Sequence, residues 1–210
     1  DVFSNTGTDA AIAAPPGADG LTATGGVISD YTTSPGDVYR AHVFTSSGEF
    51  DVTALGTFGN TVDYLVVAGG GGGGSHNGGG GGAGGLRTNV PGVQDAGGNP
   101  LTGASAPVSV SPYAVVIGGG GAAGVSERGD NGTPSSIAFS SPIVATAGGG
   151  GAGAPHAYNG RTGGSGGGAG GGESANPVSS PGAGNTPPVS PSQGFAGGTA
   201  VQQPSPAIRA

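Results

Sequence analysis

The side chains that could do chemistry are few in this chain, and they are widely spaced. The three histidines are His42, His76 and His156. His76 and His156 sit in comparable polar interruptions, Ser75-His76-Asn77 and Pro155-His156-Ala157-Tyr158-Asn159-Gly160-Arg161. No carboxylate lies close to either in sequence, and two imidazoles fall short of the three or four ligands a zinc site needs, so no metal site is expected. Cysteine is absent, which removes thiolate ligands, disulfides and cysteine nucleophiles. Lysine is absent too, so no phosphate-binding loop of the Walker type can be built. Gly-x-Gly-x-x-Gly matches arise throughout the glycine runs and carry no nucleotide signal, because no run opens an amphipathic helix. Gly164-Ser165-Gly166 is embedded in glycine rather than on a strand-to-helix turn, so Ser165 is no nucleophile elbow. The twelve acidic residues are scattered, which does not suit the paired carboxylates of glycoside hydrolysis. We therefore expect no catalytic residue, no cofactor and no enzyme.

The chemistry left is recognition. Tyr158, beside Asn159 and Arg161, joins an aromatic face to hydrogen-bonding groups, a composition suited to contacting glycan or protein. The candidate receptor or inter-subunit contacts are Ser75, His76, Asn77, Pro155, His156, Tyr158, Asn159 and Arg161. With five Arg and a net charge of −7 the chain has no basic stripe, so nucleic acid is not an expected partner. No run of apolar residues is long enough to span a membrane. His42 lies in a predicted strand and is read as structural.

The elements that must position these residues are unusual. Gly and Pro make up 69 of 210 residues, and Leu, Ile, Val and Phe only 36, so an ordinary side-chain core cannot form throughout. Residues 1–26 read as a linker or peripheral arm, 27–68 as a β-rich part, 69–200 as a glycine-rich domain and 201–210 as a C-terminal linker. Val38–Thr45 and Glu49–Thr53, joined by Ser46-Ser47-Gly48, predict a hairpin. Val62–Ala68 predicts a strand buried on both faces. Most aromatics, among them Tyr31, Tyr39, Phe44, Phe50, Phe58, Tyr64, Tyr113 and Phe139, read as core. Since Met is also absent, we expect a piece of a longer protein.

Three apolar strands run straight into glycine without a turn signal: Val66-Val67-Ala68 into Gly69–Gly74, Val115-Val116-Ile117 into Gly118–Gly121, and Val144–Ala147 into Gly148–Gly151. Helix is disfavoured by about 1 kcal/mol per glycine. A sheet of bare glycine has no side chains to pack. The extended threefold polyglycine-II helix is left, its polar groups pointing outward to lateral partners. The expected fold is mainly β, with short antiparallel hairpins or a sandwich leading into a bundle of polyglycine-II-like helices, and almost no α-helix. Each arm of about six residues reaches about 18 Å at ~3.1 Å per residue, which gathers the polar tips at the end away from the hairpins.

The stretches Tyr39–Thr45, Gly48–Val52 and Val62–Gly72 resemble the glycine-rich domain of tailed-phage tail-fibre and virion structural proteins, especially those of marine cyanophages. Gly84–Gly92, Gly98–Gly103 and Gly184–Pro191 are similar to the same family. The resemblance spans roughly residues 22–200. It implies a virion or extracellular location and a non-catalytic fibre or adhesin module, with loops that touch a host-surface glycan or outer-membrane protein. It also implies assembly with copies of itself, as a trimer or filament. Two other readings stay open from the residues: a secreted bacterial filament or surface-layer protein, and an ice-binding protein.

Overall fold

The computed structural model describes residues 20–32, 36, 38–95, 98–125, 127–153, 158–171 and 178–201. Within them the chain is mainly β, built from small antiparallel sheets, and no helix is present. The largest sheet has five strands in the order β1 (Thr22–Thr24), β4 (Gly48–Ala54), β9 (Ser111–Val116), β10 (Ser135–Ile137) and β11 (Ile143–Ala145). Alternation places its core. Phe50 and Val52 of β4 are buried, as are Tyr113 and Val115 of β9 across the pairing Phe50↔Tyr113. They pack with Ala23, Tyr64, Ala106, Val108 and Phe139. Phe139 meets Tyr113 edge-on, with centroids 5.2 Å apart, an arrangement that adds to simple area burial. The Tyr113 hydroxyl accepts from the Ser109 N–H at 2.7 Å, so the ring is buried without stranding its polar end.

Two strands leave this core. β2 (Val27–Thr32) and β3 (Val38–Val43) pair only with each other, from Val27↔Val43 to Thr32↔Val38. The ribbon is tied across its middle by Arg40, whose Nε and Nη2 donate to the Asp30 carboxylate at 2.7 and 2.8 Å. Those bonds hold the Asp30 carboxyl below its ordinary pKa and raise that of Arg40. The Tyr31 and Tyr39 rings stack at 5.4 Å. His42 is structural, as expected: its Nδ1 lies 2.8 Å from the Gly25 carbonyl and its ring packs against Phe50.

Several expectations are corrected here. β3 does not pair with β4, because β1 and β9 take both edges of β4 and leave β3 to β2. β1 falls inside the 1–26 stretch expected to be a peripheral arm, yet Ala23 is part of the core. Tyr31, Tyr39 and Phe58 are exposed rather than buried. The strand after Val62 is shorter and more open than expected. β5 (Thr61–Val62) pairs with β8 (Ala106–Pro107), and β6 (Leu65–Val67) with β7 (Leu86–Thr88), while Leu65 and Val67 face solvent.

The three strand-to-glycine transitions stand where the sequence puts them, after β6, β9 and β11. The glycine segments that follow belong to no helix and no strand, and polyglycine-II helices are not among the elements of the structure. They are nevertheless bonded laterally, with partners recurring every third residue instead of every second as in a β-ladder. The N–H groups of Gly69, Gly72 and Ser75 bond to the carbonyls of Thr133, Asp130 and Glu127. Those of Gly71 and Gly74 bond to Gly82 and Gly79, and those of Gly148 and Gly151 bond to Gly69 and Gly72.

Residues 147–153 lie at the centre. All seven are buried, and none has a side chain larger than a methyl group. Their carbonyls accept, in chain order, from the N–H groups of Gly164, Gly132, Gly82, Arg161, Gly129, Gly79 and Tyr158. The N–H groups of Gly148, Gly149, Gly151 and Ala152 also bond to neighbouring backbone, and Gly150 bonds to the Asn131 side chain. Ordering backbone costs about 1–2 kcal/mol per residue, and a net hydrogen bond returns about 1 kcal/mol. Such a segment is stable only if nearly every polar group is paired. Close approach is what glycine contributes: a Cβ on Gly151 would fall within the Gly79 carbonyl group.

Candidate contact surface at the loop end

The glycine segments reverse direction at one end. The turn from Gly74 to Gly79 is closed by the Gly74 N–H on the Gly79 carbonyl at 2.9 Å. His76 sits at its apex in the left-handed region, with φ of 55°, and both His76 and Asn77 are exposed. Ser75 joins this turn to the next: its N–H and Oγ both donate to the Glu127 carbonyl at 3.1 Å. The Gly171 N–H reaches the Asn77 carbonyl at 2.8 Å, which ties Gly171 to this turn. Gly153 lies against the Glu127 backbone and accepts from the Tyr158 N–H at 3.2 Å. Ser75, His76, Asn77 and Tyr158 thus share one end of the molecule, whereas β6, β9 and β11 enter the glycine segments from the other.

Asn159 and Arg161 are turned to a different task. Asn159 Oδ1 accepts from the Ser180 N–H at 2.8 Å. Arg161 Nε donates to the Gly129 carbonyl at 3.0 Å, and its Nη2 lies 3.4 Å from Asp130 Oδ1. These side chains lie back along the bundle and bind neighbouring segments to each other. Pro155 and His156 lie outside the described residues.

Three residues that stand out in the structure escaped the sequence reading. Val125, 89% exposed, is an aliphatic side chain at the same loop end. An isolated Val after Gly124 was the available signal. Asn131 is the second: Oδ1 accepts from Gly150 and Nδ2 donates to the Thr162 carbonyl at 3.3 Å, so the side chain stands in for a neighbouring backbone. Gln193 is the third, buried where sheet meets glycine. Its Oε1 accepts from the Thr146 N–H at 2.8 Å and its Nε2 donates to Thr146 Oγ1 at 3.0 Å. Nothing local in sequence marks Asn131 or Gln193, because their partners are distant in the chain.

Among the described residues, no three His, Asp or Glu side chains come together as a metal site. No helix of the described residues is long and apolar enough to cross a membrane. A small sheet layer carrying a backbone-bonded glycine bundle with grouped loops defines the class of this protein. The model of the glycine-rich domain family matches residues 45–208, and the chain belongs to that family. No curated protein and no solved structure matches it.

Proposed function

We propose that this chain is a non-catalytic, extracellular fibre or adhesin module of a phage virion, holding a set of host-contacting loops at one end of a stiff bundle. In this reading the glycine segments are polyglycine-II helices. The observation that carries it is the three-residue repeat of lateral hydrogen bonds, which leads from the sheet layer to an end where exposed His76, Val125 and Tyr158 are grouped. A rigid backbone with exposed tips presents recognition groups at low cost, since little ordering entropy remains to be lost on binding.

The test uses labelled protein on a panel of intact Gram-negative cells, comparing the natural chain with a His76→Ala, Val125→Ser, Tyr158→Ala triple variant. The expected result is an unchanged melting temperature and a loss of cell binding of at least about tenfold, or ~1.4 kcal/mol. Binding that ignores the triple change would overturn the adhesive reading. One observation favours a second reading, a secreted filament. Among the described residues the β2–β3 ribbon pairs with no other strand, and it exposes Val27, Tyr31, Tyr39 and Val43, features that invite strand addition by another copy. Long filaments formed by the purified chain in electron micrographs would favour that reading.

A further inference from the structure

Only Gly25 and Gly26 join β1 to β2, with φ of 104° and 65°. Thr24 still pairs with Asp51 of β4, whereas Val27 already pairs with Val43 of β3. The chain changes its partner strand within that step, and the left-handed φ values there favour glycine. Bulk is excluded as well. A Cβ on Gly25 would collide with the Glu49 carbonyl oxygen, and one on Gly26 would lie 2.8 Å from the Val43 carbonyl oxygen.

β3 and β4 part at the same level, and residues 44–47 bridge them. Between that bridge and the glycine step lies a cavity of about 280 Å³, lined by residues 25–27 and 43–49. Sites for drug-sized ligands are roughly 300–1,000 Å³, so this one suits a single ring. Phe44 is half-buried against the hydrophobic core and gives the lining an aromatic surface. Ser47 Oγ accepts the Ile117 N–H at 3.0 Å, which fixes the bridge to the residue that follows β9. The Thr45 and Ser46 hydroxyls and the Glu49 carboxylate make no hydrogen bond or ion pair among the described residues. Their bonding capacity is open to a ligand.

The lining selects the chemistry of that ligand. No Arg or His borders the cavity, so an anion would find no counter-charge. An ammonium group would meet the one carboxylate but leave the row of hydroxyls idle. A neutral pyranose uses every group. Its C–H face lies on the aromatic ring, and its hydroxyls donate to the carboxylate and exchange hydrogen bonds with the Thr and Ser hydroxyls. We propose that this cavity binds a single neutral pyranose unit of a glycan. The site lies at the sheet end, among residues apart from the loop end, and it stands whether or not those loops contact a host.

The full chain, labelled with nitrogen-15, is titrated with the methyl glycosides of glucose, galactose, mannose and N-acetylglucosamine. Tetramethylammonium and inorganic phosphate serve as contrasting probes. At least one glycoside is expected to shift the amides of Gly25, Gly26, Ser46 and Glu49 saturably, with a Kd on the order of 1 mM. Ser46→Ala and Glu49→Ala, both at exposed positions, should each weaken that binding at least about fivefold with an unchanged melting temperature. The His76→Ala, Val125→Ser, Tyr158→Ala triple variant should bind the glycoside as the natural chain does, which separates this site from the loop end. Glycosides that leave these amides unmoved would overturn the proposal. So would a stronger response to tetramethylammonium or phosphate than to any glycoside, or binding that ignores both single changes.

Discussion

The sheet layer and the glycine bundle solve the same problem with opposite materials. Around Phe50, Val52, Tyr113 and Phe139, stability comes from apolar area removed from water and from close fit between side chains. Around residues 147–153 there is almost no apolar side chain to bury, and the chain is held by its backbone: all seven carbonyls and the N–H groups of residues 148–152 find partners. The first region does not tolerate the loss of volume. The second tolerates no added volume, because a single methyl group must displace a carbonyl. The comparison teaches that "core" need not mean "hydrophobic", provided the polar groups of the backbone are fully matched.

The sharpest way to break this comparison is to make opposite changes in the two regions. Phe139→Ala is expected to destabilise by about 3–5 kcal/mol through the cavity it leaves. Gly151→Ala, which adds one methyl group against the Gly79 carbonyl, is expected to cost about 3 kcal/mol or more. Paired denaturation curves check both. A small substitution at Gly151 that matches a large truncation at Phe139 marks a packed backbone. A smaller effect is expected at Gly80, where a Cβ meets nothing within 4 Å. Gly80→Ala should stabilise by about 0.4–1 kcal/mol, because it only narrows the unfolded ensemble. A loss of stability there would mean that the outer segments are packed as tightly as the central one.

How much of this was legible in the sequence follows from what side chains encode. The three entries into glycine could be read because apolar runs adjoin glycine directly at Ala68, Ile117 and Ala147. Partner choice could not. Ser46-Ser47-Gly48 gives a sound local turn signal, but competition between β1, β2 and β9 for β3 and β4 is a long-range matter. The order of segments within the bundle was illegible for a deeper reason: glycine has no side chain with which to specify a neighbour. The task falls to sparse polar residues such as Asn131, Arg161 and Gln193, each bonded to partners far away in the chain. At the loop end, grouping of the turns around Ser75 and Tyr158 follows the reversal of the glycine arms. The inward bonds of Asn159 and Arg161 do not, since a Tyr-Asn-Gly-Arg run has the same composition at a contact surface as in a structural brace.

Hydrogen exchange of the amides of Gly148, Gly149, Gly151 and Ala152 tests the central claim most directly. If the glycine bundle is a second core, these four amides open only with global unfolding. They should then exchange as slowly as those of Val52 and Val115 in the sheet. Exchange at the rate of an unstructured glycine segment, with Val52 and Val115 still protected, would contradict the account.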